Sequence, residues 1–242
     1  MSQVEGEMSF CANHRWRRFF WLPLVAASLT LVGCATRGER SERTPATESA
    51  LYLDAVRGLI GQGQYYAAIA HIQEDRRLHG DTAELRLLEA DARRNLRQNK
   101  TAEALYQGVL RGASQGPLAG KARHGLALLY AGINLDASLR EFREAARLKP
   151  TDATIRSDYG FALMQARRFD EAQVELFTAA ELEPEHIAAR NNLLILFYVQ
   201  GNETRARWLA AQTQVDAALL ARLKAQAQSF NATPAAPTRT GK

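Results

Sequence analysis

Gly112-Ala113-Ser114-Gln115-Gly116 fits G-x-S-x-G, a spacing used by hydrolases. Such a pentapeptide activates its serine only where a strand feeds a tight turn into a helix. The hydroxyl then stands beside an oxyanion hole, with an acid and a histidine further along the chain. Here apolar residues at helical spacing precede and follow the stretch and no parallel sheet is legible, so Ser114 reads as a loop residue between helices. The histidines do not have the spacing of metal ligands. His71 and His79 share one helix and its end without a nearby Cys or paired carboxylate, and His124 and His186 are placed at helix starts. Gly120-Lys121 lacks both the loop and the Ser or Thr of a phosphate cradle. Asp170-Glu171 suits the positive end of a helix. The net charge of +5 comes from interspersed Arg and Glu, with no basic stripe for nucleic acid; even Arg37 to Arg43 alternates with Glu39 and Glu42. These residues call for no cofactor, no metal, no nucleic acid and no small-molecule substrate, and nothing in them argues for an enzyme.

The two cysteines, Cys11 and Cys34, suggest a disulfide until the N-terminal stretch is considered. His14-Arg15-Trp16-Arg17-Arg18 is a basic lead-in to the apolar stretch Phe19 to Val32. That stretch is short for a bilayer span and the right length for a signal segment. Met8 is a plausible start for it. It closes in Leu31-Val32-Gly33-Cys34, which resembles the lipobox of bacterial lipoproteins. The resemblance implies cleavage after residue 33, diacylglycerol on the Cys34 thiol and acylation of the new N-terminus. More than one acyl chain, at about 0.8 kcal/mol per buried methylene, gives a stable membrane anchor. Ala35 follows the cysteine where enteric lipoproteins retained at the inner membrane carry Asp. The implied destination is the periplasmic face of the outer membrane. No thiol is then left for other chemistry.

The remaining chain is organised by a repeat. Ala145, Ala146, Leu148 and Pro150 recur thirty-four residues later as Ala179, Ala180, Leu182 and Pro184. Gly125-Leu126-Ala127 and Gly160-Phe161-Ala162 lie upstream in the two copies. Small residues let antiparallel helices approach, large ones fill the layer between them, and Pro ends the second helix. The pattern resembles the tetratricopeptide repeat. Counted from Ala153, Tyr159 is position 7, Gly160 position 8, Ala172 position 20, Leu176 position 24, Ala179 position 27 and Pro184 position 32. Gly63 and Ala68, and again Gly201 and Ala206, fall at positions 15 and 20 of an earlier and a later copy. Between them, residues 83–111 form two clear helices without a clear register.

The expected fold is all-α, a tetratricopeptide-repeat solenoid of about five helical hairpins over 49–229. Its last helix, about 214–229, acts as a cap. A flexible tether of 34–48 precedes the array, and a disordered tail of 230–242 with Pro234 and Pro237 follows it. The resemblance implies a concave groove lined by the first helix of each unit. Carried over position by position, it names Ser157, Phe161, Met164 and Gln165, then Asn191, Ile195, Tyr198 and Val199, and in the preceding unit Leu126, Leu129 and Tyr130. Such a set would suit an amphipathic helix or an apolar peptide of a partner protein.

Lipobox, tether, hairpins and final helix together resemble the TadD family, lipoproteins of tight-adherence (Flp) pilus assembly. That resemblance implies protein partners among the secretin or pilus assembly components. Type IV pilotins and recruiters of cell-wall enzymes share the same motifs and stand as alternatives.

Overall fold

The computed structural model describes residues 45–232. The signal segment, Cys34, residues 35–44 of the expected tether and the tail beyond residue 232 lie outside the described residues. Eleven helices and no strand make up the described part. They pair as hairpins α1 (Pro45–Gly61) with α2 (Tyr65–His79), α3 (Ala83–Asn95) with α4 (Asn99–Gly112) and α5 (Gly116–Tyr130) with α6 (Leu135–Leu148). Then come α7 (Ala153–Gln165) with α8 (Phe169–Leu182), α9 (Ile187–Val199) with α10 (Glu203–Gln212), and the single α11 (Ala217–Ala232). None of the described helices is long and apolar enough to cross a membrane.

The ends of the expected domain move. α1 begins at Pro45, inside the span read as tether, because Pro is tolerated in a first helical turn where its missing N–H is not needed. α11 runs to Ala232, so Phe230 belongs to the fold and not to a tail. Gly116 and Pro117 form the first turn of α5, where Pro117 is tolerated for the same reason as Pro45. His124 consequently sits inside α5, while His186 does cap a helix, its Nδ1 accepting from the Ala189 N–H at 3.1 Å. Thr82, Asn134, Asp152 and Asn202 cap α3, α6, α7 and α10 in the same way.

One turn geometry closes four of the five hairpins. In each, an amide bonds back to a carbonyl five residues earlier: Gln64 to Leu59, Gln98 to Arg93 and Arg168 to Leu163, each at 2.9 Å, and Asn202 to Phe197 at 2.7 Å. This ending needs a left-handed residue just before the donor. Gly63, Arg97, Arg167 and Gly201 take it, with φ of 76°, 61°, 59° and 71°. Glycine meets that demand freely; an L-residue with a Cβ does not. The hairpin α5–α6 escapes it with a turn one residue longer, 131–134 against 166–168, in which no residue has positive φ.

The helices touch through small residues. A Cβ on Gly160 would stand 2.6 Å from Leu176 Cγ, within its own hairpin. One on Gly125 would stand 2.2 Å from Cζ of Tyr106, which comes from α4 of the preceding hairpin. Ala68, Ala102, Ser138, Ala172 and Ala206 occupy the matching place on each second helix, all fully buried. The apolar layers are strung along the array. Val56, Ile72 and Leu85 centre the first cluster, Tyr106, Val109 and Leu126 the next, and Phe142, Tyr159, Leu176 and Leu194 the large last one.

Two substitutions test this account by urea denaturation. Gly125→Ala should cost roughly 1–3 kcal/mol, because the Tyr106 ring is buried and hydrogen-bonded and has no room to yield. Arg97→Gly should gain about 1 kcal/mol by relieving the left-handed arginine. An unchanged midpoint for either variant would contradict the geometry.

Candidate functional site

The first helices of the hairpins, α1, α3, α5, α7 and α9, form one face of the array. Along its N-terminal half they enclose a depression of about 420 Å³ lined by Arg57 of α1, Glu84, Leu87, Leu88 and Asp91 of α3, and Pro117, Leu118 and Lys121 of α5. Leu87 and Leu88 are buried and form the apolar floor with Leu118. Arg57 and Lys121 contribute two cationic side chains to the lining and Glu84 and Asp91 two acidic ones, with Arg57 also paired to Asp54 of its own helix.

Asp91 is held in place. The Tyr106 hydroxyl donates to its Oδ1 at 2.6 Å, and Arg94 Nε donates to that hydroxyl at 3.3 Å. Burial pushes the Asp91 carboxyl above its ordinary range, against the lowering effect of the Tyr106 bond and of Arg94, His124 and Lys121. The Tyr106 hydroxyl is driven up as well, by burial first and then by Asp91. Further along, Tyr130 donates to Glu103 Oε1 at 2.6 Å, and burial together with Glu103 pushes it to about 12. His124 Nε2 lies 2.8 Å from Asp158 Oδ2 and ties α5 to α7.

Most residues carried onto the groove from the repeat pattern serve other ends. Leu126 and Leu129 are buried beside Leu87 and Tyr106 in the layer between repeats. Ser157 is buried, and Asn192 Nδ2 donates to its Oγ at 3.1 Å, joining α7 to α9. Met164 and Ile195, 0% and 2% exposed, belong to the large last cluster and offer a partner nothing. Position counting places side chains along a helix, but the superhelix and the final helix decide which of them meet solvent. Tyr130 is half-buried and spent on Glu103, while Gln165 is exposed. Asn191 is half-buried, and its Oδ1 is buried with no hydrogen-bond partner among the described residues.

Phe161 and Tyr198 are half-buried, and α11 meets both. The Phe161 and Phe230 rings stand edge to face with centroids 5.9 Å apart. Lys224 Nζ lies 5.6 Å from the centre of the Tyr198 ring. Arg167 Nη1 donates to the Phe230 carbonyl at 2.8 Å. The repeat register that reveals the N-terminal depression begins at Ala83, in the hairpin whose pattern is least regular. From that start Glu84, Leu87 and Asp91 fall at the groove positions 2, 5 and 9.

Ser114 lies in the short turn between α4 and α5, exposed, with helix on both sides and no strand to form a nucleophile elbow. Among the described residues no group of three or more His, Cys, Asp or Glu side chains is disposed to hold a metal ion.

A stack of helical hairpins with a side-chain-lined concave face defines a repeat scaffold. No protein-family model matches the chain. A TPR repeat-containing protein of Pseudomonas aeruginosa is 35% identical over 191 residues, 77% of this chain and 74% of that one. The chain belongs to the TPR repeat protein family. Solved structures share the fold at lower identity. A tetratricopeptide repeat protein from Parabacteroides merdae matches with a TM-score of 0.56 at 15% identity, over 75% of this chain and 73% of that one. MamA from Desulfovibrio magneticus matches at 0.53 and 16%, over 74% and 96%. YrrB, a TPR protein with an unusual peptide-binding site, matches at 0.52 and 19%, over 72% and 90%.

The raised Asp91 pKa fixes the sign of a pH effect. The folded state holds the Asp91 proton more tightly than the unfolded chain, so this group favours folding fully below the ordinary carboxylate range. Its contribution is lost as pH rises through the folded value. Asp91→Asn keeps an acceptor for Tyr106 and removes the buried charge. Its stability relative to the parent protein should rise between pH 4 and pH 7, measured by thermal melts at each pH; a fall would refute the assignment.

Proposed function

We propose that this protein is a lipid-anchored scaffold on the periplasmic face of the outer membrane that holds a segment of a partner protein in its concave face. The observation that carries the proposal is the depression between α1, α3 and α5, where an apolar floor is joined by charges of both signs. A short partner segment with an apolar side chain on one face and charges beside it fits that lining. YrrB, a protein of the same fold, is described as having an unusual peptide-binding site, which is in keeping with a peptide ligand here. Leu31-Val32-Gly33-Cys34 supports the anchor, with lipid on Cys34. The resemblance to the TadD lipoproteins supports a place in Flp pilus biogenesis and secretin assembly. The rigid hairpins would then present the bound segment while the lipid fixes its location.

The test is crosslinking in intact cells, followed by purification from outer-membrane fractions and mass spectrometry of what is bound. A Leu87→Asp variant and a Cys34→Ala variant run alongside. A secretin or pilus component should be recovered with the unaltered protein. Its yield should fall at least tenfold with Leu87→Asp, and the protein should leave the membrane fraction with Cys34→Ala. Recovery of cell-wall synthases or hydrolases instead would defeat the pilus assignment.

A further inference from the structure

α11 does not continue the stack. In every earlier unit the next first helix packs on the preceding second helix, as α9 does on α8. α11 packs chiefly on α9 and reaches two first helices back, to Phe161 of α7 and to Arg167 in the turn that follows it. Gln214, with φ of 51°, turns the chain, and Asp216 Oδ1 caps the new helix by accepting from Leu219 N–H at 2.8 Å. The outer face of α10 is left uncovered there, with Trp208 63% exposed. The helix that would seal the end of the array lies across its first-helix face.

The sequence of α11 matches that position. Leu219, Leu220, Leu223, Ala227 and Phe230 form one stripe at helical spacing and all pack on the last cluster. Only Leu223 and Ala227 are fully buried. The polar contacts of the middle of the helix are peripheral, an exposed Lys224–Glu203 ion pair at 2.8 Å and the same ammonium over Tyr198. A helix with this little burial can be exchanged for another of the same pattern.

We infer that α11 is an internal occupant of the α7–α9 groove and that it yields to an amphipathic helix of a partner bearing the same stripe, large-x-x-x-small-x-x-aromatic, with a cation opposite Glu203. This rests on the scaffold reading above and adds a second, gated site to the N-terminal depression. The complete chain stays closed at this site until a competing helix is present at sufficient concentration.

The test uses the full chain and a fluorescent synthetic peptide of residues 217–232, followed by anisotropy. Lys224→Glu places like charges at Glu203 on an exposed surface and should leave the fold intact. Leu223→Asp with Phe230→Ala loosens the helix further. Both variants should bind the peptide more tightly than the unaltered chain, by at least threefold and tenfold. Adding Phe161→Ala and Tyr198→Ala should abolish the gain. Far-ultraviolet circular dichroism of each variant verifies the folded array. Folded variants that bind no better than the unaltered chain overturn the gate. Equal, tight binding by all chains also overturns it, but shows a groove that takes helices. Loss of peptide binding with cellular partners still recovered sinks this site alone; loss of both sinks the scaffold reading too.

Discussion

The close approach of neighbouring helices is the constraint from which the rest follows. It is set by side chains that are nearly absent. Gly160 lets Leu176 onto the α7 backbone, and Gly125 does the same for Tyr106 across the boundary between repeats. On the second helices a small buried residue recurs, and in one hairpin it is a serine. Ser138 is acceptable there because its hydroxyl donates to the Ala127 carbonyl at 2.8 Å, leaving no unpaired polar group in the contact. The Tyr106 ring that this spacing admits reaches Asp91 with its hydroxyl, and Asp91 lines the depression between α1, α3 and α5. Packing and site are therefore connected through one side chain.

Charged groups add orientation more than strength. Glu89 is buried yet fully engaged, accepting from Arg76 at 2.8 Å and from Arg93 at 3.0 Å, and so fixes α2 against α3. Arg123–Glu141 at 2.8 Å and Arg156–Glu175 at 2.7 Å brace the helices of two later hairpins. Pairs of this kind recover in attraction roughly what they lose in desolvation, and what they contribute is a preferred register.

The central hairpins were legible because their glycines, alanines and prolines stand at fixed offsets, a pattern that packing alone imposes. The hairpin of α3 and α4 kept its register hidden. It has Ala90 at position 8, Tyr106 at position 24 and Ser114 at position 32, where the later copy has Gly160, Leu176 and Pro184. Those choices are physically equivalent in place but not in letter. The groove was less legible than the fold. A position number says which way a side chain leaves its own helix; it does not say that Met164 and Ile195 are covered by their neighbours. Nor does an amphipathic stripe at 219–230 say where its helix will lie, since that direction is settled by the turn at Gln214.

The layered clusters give the array the physics of a one-dimensional chain, in which each segment feels only its neighbours. Opening is then graded along the length. The hairpin α1–α2 leans on one described neighbour through a small layer around Val56, Ile72 and Leu85, whereas α7 and α9 sit within the largest. Amide exchange should follow that order, fastest near α1 and slowest around Leu163 and Leu194. The first hairpin, from which the chain leads back toward Cys34, is thus the part that opens most readily, and the layer around α7 and α9 is the stiff part.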